Sequence, residues 1–298
     1  MTATRLPESN QLPNSEIRTI RPLSKEQVQQ YREEGFLQIP NFFDAEEIQP
    51  IQKAIAEDSS LGGSRTICTN KDGENFQVSI WTELEQTLLG IIPRMARIVD
   101  AAESLVGKEC YHWHSKIVTK QPGEGGVDLH QDYASWYENG CIFPDLITCT
   151  IAIAASDRAN GCLKVVKNSH LLGRLKRIGL NGKGAGGPEP ERLAKILEKL
   201  PVVYCEMEPG DAVFFHANTL HGSDGNRSNS LRHLMHCSYN ATDNEPFILE
   251  GQEHHRYRKL IKLSDAAIKN GDYNAVFKQQ DFHPPETGDN KEGNIFYR

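Results

Sequence analysis

The sequence predicts a mainly β domain, built as a sandwich, jelly roll or barrel, with helices grouped ahead of the strands and covering one outer face of a sheet. Three observations carry this. From residue 110 onward, short β-type runs follow one another at 111–120, 126–132, 146–155, 161–166, 202–207, 212–216 and 231–239. Turn chemistry separates them, including Gln121-Pro122-Gly123, Asn160-Gly161 and Glu208-Pro209-Gly210-Asp211. Before residue 110 the apolar residues recur with a helical period instead.

The elements follow in order. Residues 1–22 are polar and aperiodic, as expected of a loose arm. Ser24, with Gln27 three residues on, has the pattern of a capping box. It opens a helix that carries Val28 and Tyr31 on one face and ends before Gly35. Phe36-Leu37-Gln38-Ile39 is a short strand broken by Pro40-Asn41. Asp44 caps a second helix through about Glu57, with Ile48, Ile51 and Ile55 on its apolar stripe. Residues 60–74 carry Gly and Ser and are expected to form a loop. A helix over 92–105 would turn Met95, Ile98, Val99 and Ala102 inward. Within the strand region, 171–201 is a long interruption: a Gly-rich stretch, then the helical PEPERLAKILEKL. It is a candidate lid. Residues 281–298 read as a polar tail. A single domain over 23–280, with its β core at about 110–240, accounts for all of this.

Composition narrows the function. The chain has 298 residues, 38% of them hydrophobic, enough for a sizeable core. Thirty-three basic and 40 acidic residues leave a net charge of −7, which argues against a nucleic-acid or anionic-membrane partner. The apolar run LITCTIAIAA (146–155) is far short of the roughly 20 residues that a membrane span needs. The seven cysteines are odd in number and lack a C-x-x-C pair, and most lie in apolar runs. They read as small buried hydrophobes in a reducing compartment. With no apolar h-region in MTATRLPESNQLPNSEIR, the expected address is cytoplasmic. Asn226-Arg227-Ser228 and Asn240-Ala241-Thr242 are then chance matches to the glycosylation pattern. No obligate protein partner is evident, and a small-molecule substrate is expected.

The sharpest local signal is Asp128-Leu129-His130-Gln131-Asp132. On a strand, residues i and i+2 share a face, so His130 and Asp132 would stand side by side. His221 lies in Thr219-Leu220-His221-Gly222-Ser223, just after the strand 212–216. Two histidines and a carboxylate form the facial triad of non-haem Fe(II) oxygenases, with three positions left open. H-x-D alone is equally the pattern of a surface salt bridge. Arg232 strengthens the oxygenase reading. It lies eleven residues after His221 on a β-type run, and a guanidinium is a natural bidentate clamp for a carboxylate. Ser223 could donate a hydroxyl to the same carboxylate. On the first core strand, His114, Lys116, Val118 and Lys120 share one face, which is either a pocket wall or a solvated surface.

With these residues in place, the chain resembles the phytanoyl-CoA dioxygenase family of Fe(II)- and 2-oxoglutarate-dependent oxygenases, which includes ectoine hydroxylase. The matching segments are LSKEQVQQYREEGFLQIPNFFDAEEI (23–48), TKQPGEGGVDLHQDYASWY (119–137), DLITCTIAIAASDRANGCLKVVKNSH (145–170) and EPGDAVFFHANTLHGSDGNRSNSLRH (208–233). The resemblance implies a double-stranded β-helix (jelly-roll, cupin-like) core. It implies Fe(II) on His130, Asp132 and His221, 2-oxoglutarate held by Arg232 and Ser223, and O2 as the oxidant. The implied reaction oxidises a C–H bond and releases succinate and CO2. Lys120 matches a lysine that ectoine hydroxylase uses for 2-oxoglutarate. Lys116 stands where phytanoyl-CoA hydroxylases place a methionine that contacts the co-substrate. Thr150 replaces a tryptophan that often lines the co-substrate pocket, and His114 falls at a substrate-binding glutamine of ectoine hydroxylase. Family halogenases lack the carboxylate, so the presence of Asp132 favours hydroxylation or a related oxidation. A zinc-dependent or non-catalytic cupin-like binding protein is the alternative, and it leaves Arg232 without a role.

Other patterns are weighed against plainer readings. Gly182-Lys183-Gly184-Ala185-Gly186-Gly187 fits G-x-G-x-x-G, but no βαβ unit surrounds it, and a flexible lid fits better. His254-His255-Arg256-Tyr257-Arg258-Lys259 is expected to be a solvated basic face. His216 and His236 are expected near the site as packed histidines, and His236 is also a candidate substrate contact. Trp136 and Tyr137 are either pocket wall or core.

Overall fold

The computed structural model describes residues 22–57, 65–178, 186–248, 250 and 253–277. The expected arm (save its last residue), most of the Gly-rich motif and the expected tail lie outside the described residues.

Local chemistry sets the leading elements. Helix α1 (Lys25–Glu34) opens on the expected capping box. Gln27 N–H donates to Ser24 Oγ at 3.2 Å, and Ser24 N–H donates to Gln27 Oε1 at 2.9 Å. Gly35, at φ 82°, closes it and turns the chain into strand β1 (Phe36–Ile39). Asp44 and Glu47 cap helix α2 (Ala45–Glu57) in the same reciprocal way, at 2.9 and 3.1 Å.

Three sequence expectations need correction here. The presumed loop 60–74 contains β2 (Thr66–Thr69), which pairs as a hairpin with β3 (Asn75–Trp81). The alternation of Phe76 and Val78 carries the strand signal, but charged turn residues obscure it. The single helix over 92–105 is instead α3 (Leu88–Ile91), a 3-10 turn (Ile92–Arg94) and α4 (Ala96–Val106). Pro93 has no N–H, and Met95 is extended (φ −62°, ψ 130°), so the turns do not fuse. The third correction concerns the 254–259 cluster. His255 is buried and stacks on Trp113 with ring centroids 3.8 Å apart, so this histidine is not part of a solvated face.

The remaining elements are β4 (Cys110–Lys120), β5 (Val127–His130), α5 (Asp132–Glu138), β6 (Leu146–Ala152), β7 (Leu163–Val166), α6 (Pro190–Leu197), β8 (Val202–Cys205), β9 (Ala212–His216), β10 (His221–Ser223) and β11 (Arg232–Ala241). They form two antiparallel sheets. The larger runs β1-β9-β6-β11-β4-β3-β2 and the smaller β5-β10-β7-β8. With the flanking helices they form the double-stranded β-helix core.

The two faces of the larger sheet differ in chemistry. Ile117, Ile147, Cys149, Ile151, Phe214, Met235 and Cys237 pack with α1, α2 and α4 in the main hydrophobic cluster. By the period of two, their neighbours Lys116, Lys120, Thr148, Thr150, Arg232, His236 and Ser238 face the smaller sheet. A β-bulge opposite Ser238 and Tyr239 sets Trp113 as an extra residue in β4. All seven cysteines are buried and unbridged.

A buried ion pair ties the helical layer together. The Arg97 guanidinium on α4 meets Glu47 on α2 and also donates to the carbonyls of Phe42 (3.0 Å) and Asp265 (2.8 Å). Glu47→Ala removes the buried partner of this guanidinium and leaves it only the partly exposed Asp265 carboxylate, 3.3 Å from its Nε. The expected cost is about 3–5 kcal/mol, measured by urea unfolding. Burial also pushes His216 and His233 down to about 4, from 6.5. Both are neutral in the folded protein and take up protons when it unfolds. Their stabilising contribution is therefore complete above pH 6.5 and lost as the pH falls towards 4. The melting temperature should drop through that window, and His233→Asn should make the drop shallower.

Candidate active site and metal centre

Backbone pairing brings the two histidines together. β5 and β10 are antiparallel neighbours, and His130 lies directly opposite His221. Their ring centroids are 4.3 Å apart. Gly222 permits this approach, because a Cβ there would come within 2.6 Å of the Val127 carbonyl. Asp132 arrives by a route the sequence reading did not foresee. The strand expected over 126–132 ends at His130, and Asp132 is the first residue of helix α5. The turn of chain between strand and helix, not strand alternation, aims the carboxylate at the imidazoles.

The donor set is compact and oriented. Ligand atoms of His130, Asp132 and His221 all lie within 4.8 Å of one another, and all three residues are buried. Asp132 Oδ1 is 3.5 Å from His130 Nε2 and 3.7 Å from His221 Nε2. His130 Nδ1–H donates to the Asp128 carbonyl at 2.8 Å, and His221 Nδ1–H donates to the Thr219 carbonyl at 3.0 Å. Each bond fixes a tautomer whose Nε2 lone pair points at the common centre. Sequence reasoning missed these two acceptors, since backbone carbonyls leave no residue signature. It also missed Thr148, whose hydroxyl donates to Asp132 Oδ2 at 3.4 Å and pairs with Ser238 Oγ at 2.9 Å.

Electrostatics prepare the groups for a cation. Burial alone would raise the Asp132 carboxyl, but the Lys116 ammonium and the two imidazoles outweigh it and hold the group well below the usual carboxylate range. Burial, reinforced by His130, pushes His221 down to about 3, so its ring is neutral and able to ligate. Two imidazoles and one carboxylate, with no cysteine among them, suit a divalent iron centre with open positions.

A cavity opens beside the triad. Its wall includes His130, His221, Ser223, Arg232, Lys116 and His236. Phe76, Val118, Val127, Leu163 and Leu234 add apolar surface. Arg232 is 1% exposed, and its Nε and Nη2 have no hydrogen-bond partner among the described residues. Opposite it on β4, the fully buried Lys120 ammonium donates to Ser223 Oγ at 2.7 Å and to the Asp224 carbonyl. Burial and the neighbouring Arg232 push Lys120 down to about 6. A buried guanidinium with open donors, beside a serine hydroxyl and a lysine, fits the distal carboxylate of a keto acid.

The other sequence candidates are placed differently. Thr150 is fully buried and its hydroxyl bonds His236 Nδ1 at 2.8 Å, so it orients His236 and is not part of the cavity wall. His114 is buried 6.0 Å from the Trp136 ring, and neither lines that cavity. Tyr137 is 46% exposed and stacks under the Arg174 guanidinium at 4.0 Å. His216 lies outside the cavity and accepts the Asn218 N–H at 3.0 Å.

Fold and site together define a two-histidine, one-carboxylate iron oxygenase. The phytanoyl-CoA dioxygenase (PhyH) family matches residues 31–234, and the chain belongs to that family. It is 29% identical over 240 residues to the ectoine dioxygenase of Bordetella parapertussis, covering 74% of this chain and 77% of that one. It is 29% identical over 236 residues to the methylphosphonate hydroxylase of Gimesia maris, covering 74% and 81%. The fold matches that of EctD from S. alaskensis in its apoform, with a TM-score of 0.66 and 24% identity over 83% of this chain and 89% of that one. The protein is an Fe(II)- and 2-oxoglutarate-dependent dioxygenase of small molecules. Among the described residues no helix is long and apolar enough to cross a membrane.

Removing the carboxylate tests the centre. Asp132→Ala should abolish turnover and weaken Fe(II) binding at least about tenfold, followed by metal content after dialysis. Normal turnover with iron retained would remove Asp132 from the chemistry.

Proposed function

We propose that the enzyme hydroxylates an unactivated C–H bond of a small polar molecule in the cytoplasm, with 2-oxoglutarate clamped by Arg232, Ser223 and Lys120. The observation that carries the clamp is the buried Arg232 with two open donors in the triad's own cavity. Iron bound at the triad supplies the redox chemistry that couples decarboxylation of the keto acid to C–H oxidation. The chain's own residues do the rest. His130, Asp132 and His221 would hold the metal, a ligand set that leaves positions for the keto acid and O2. Arg232 takes the distal carboxylate in a bidentate pair. Ser223 accepts from Lys120, which leaves its own proton to donate to the same carboxylate. Phe76, Val118 and Leu234 keep water from the space between clamp and metal.

Access is proposed through a neighbouring cavity of about 650 Å³, which shares Val127 and Ser223 with the iron cavity. Leu193, Ala194 and Leu197 of α6 form one wall, with Ile178 and Pro188 beside them. This supports the reading of the 171–201 segment as a lid. Asp132 at the third ligand position favours hydroxylation over halide transfer. Two relatives bear names that specify small polar substrates, ectoine and methylphosphonate, which agrees with the polar groups Lys116, Ser223, Arg232 and His236 in the cavity wall. Seven unbridged cysteines support the compartment.

Losing one partner of a buried charged pair costs about 2–5 kcal/mol. Arg232→Ala should therefore raise the Michaelis constant for 2-oxoglutarate at least about tenfold, read by succinate formation. An unchanged constant would sink this role. Lys120→Ala should produce a smaller rise.

A further inference from the structure

Gln131 stands between two of the metal ligands, and its side chain belongs to neither the donor set nor the cap of the helix it precedes. It occupies the N-cap position of α5, yet its side chain makes no cap bond there. The residue is 2% exposed, and its amide is engaged elsewhere. Nε2 donates to the Asn218 carbonyl at 2.7 Å and to the Gly173 carbonyl at 2.9 Å, and Oε1 accepts from the Leu175 N–H at 2.7 Å. A primary amide has two N–H donors, so both are in use.

The bond to Asn218 is one of a set. Residues 217–219 form the turn between β9 and β10, and their three consecutive carbonyls each accept from a residue of the metal centre. Ala217 accepts the N–H of Tyr133, the neighbour of Asp132, at 3.0 Å. Asn218 accepts Gln131 Nε2, and Thr219 accepts His221 Nδ1–H at 3.0 Å. One turn of backbone therefore registers the H-x-D segment and the late histidine against each other. Of these three bonds, the Gln131 one comes from a side chain that is not itself a metal ligand.

The other two amide bonds reach the stretch 173–177, which is laid along α5. The Arg174 guanidinium lies 4.0 Å from the Tyr137 ring centroid, and Arg177 meets Glu138 at 2.7 Å. Just beyond, Ile178 pairs with Gly187, and both line the outer cavity. The strap held by Gln131 thus carries part of that cavity's wall at its far end. Breaking any of the three bonds strands a polar partner, so the amide holds the turn, the strap and the strand end in one arrangement.

We propose that Gln131 is a positioning residue: its amide locks the turn ahead of His221 and the 173–177 strap onto the chain between His130 and Asp132, and so sets both the spacing of the metal ligands and the seat of the cavity wall. This goes beyond the 2-oxoglutarate clamp and rests on the triad alone.

The test uses the full chain, stripped of metal and titrated with Co(II), whose visible d–d bands report ligand geometry. Gln131→Met nearly keeps the size of the side chain and removes all three bonds. Gln131→Glu keeps the acceptor for Leu175 and loses both donors. Both variants should shift the Co(II) bands, and Gln131→Met should raise the Co(II) dissociation constant about tenfold or more. A side chain that merely fills space would lower the melting temperature and leave the bands of the folded protein unchanged. Amide hydrogen exchange reads the strap. Exchange at Leu175 should speed up about tenfold or more in Gln131→Met and stay within about threefold of wild type in Gln131→Glu. Should Gln131→Met fold poorly, the bands of Gln131→Glu decide. The proposal is overturned if the folded variants keep the wild-type bands, or if Leu175 in Gln131→Met exchanges at the wild-type rate. A wild-type protein that takes up no Co(II) would overturn the metal centre itself, and the proposal with it.

Discussion

Three side chains from two distant pieces of chain must meet with their lone pairs converging, and the site depends on how backbone pairing achieves this. His130 and His221 are cross-strand neighbours, so the hydrogen bonds of β5 and β10 set their spacing. The carbonyls of Asp128 and Thr219, each two residues before its histidine, set ring orientation. Both histidines thus use the same local device, in which the strand's own backbone restrains the ring that its side chain presents. Asp132 completes the set from the first residue of α5, which swings the carboxylate across the end of the strand pair. The metal centre is built into the smaller sheet and needs no loop to close around it.

The larger sheet supplies the opposite wall, and here one strand serves two chemistries. In β11, Met235 and Cys237 belong to the main hydrophobic cluster, while Arg232 and His236 line the iron cavity. The apolar half anchors the strand against the helices, which lets the polar half hold costly groups in fixed places. A buried guanidinium with open donors and a lysine pushed down to about 6 are unfavourable on their own. On the far face of the same two strands, Ile117, Met235 and Cys237 pack in the main hydrophobic cluster, and their burial offsets that cost.

Much of this was legible in the sequence where a residue type carries its own chemistry. The H-x-D pair, the late histidine and the arginine eleven residues on all read directly, as did the capping box at Ser24 and the glycine stop at Gly35, whereas the face of β4 stayed open between a pocket wall and a solvated surface. What escaped were features set by tertiary context. The chain turns from strand to helix between His130 and Asp132 because α5 packs Tyr133 and Trp136 into a cluster with Trp113, a contact invisible along the chain. Strands β2 and β3 were hidden by a charged turn, although Phe76 and Val78 alternate as a half-buried strand should. His255 looked like one member of a basic surface run. Its stacking partner, Trp113, lies 142 residues earlier and sits on a bulge that no local pattern announces.

The strand order has a further consequence for how the molecule is made. β11, the last strand among the described residues, occupies the middle of the larger sheet, between β6 and β4. Until it inserts, that sheet is two unconnected halves, β1-β9-β6 and β4-β3-β2. β1 near the start of the chain must likewise wait for β9, nearly 180 residues later, to find a pairing edge. Such a topology is dominated by non-local contacts and folds slowly for its size. On the ribosome, the histidines and the aspartate emerge before Arg232. The nascent chain therefore carries its metal ligands before it has the strand that joins the two halves and carries Arg232. Assembly of a competent oxygenase is a late event, coupled to completion of the sheet.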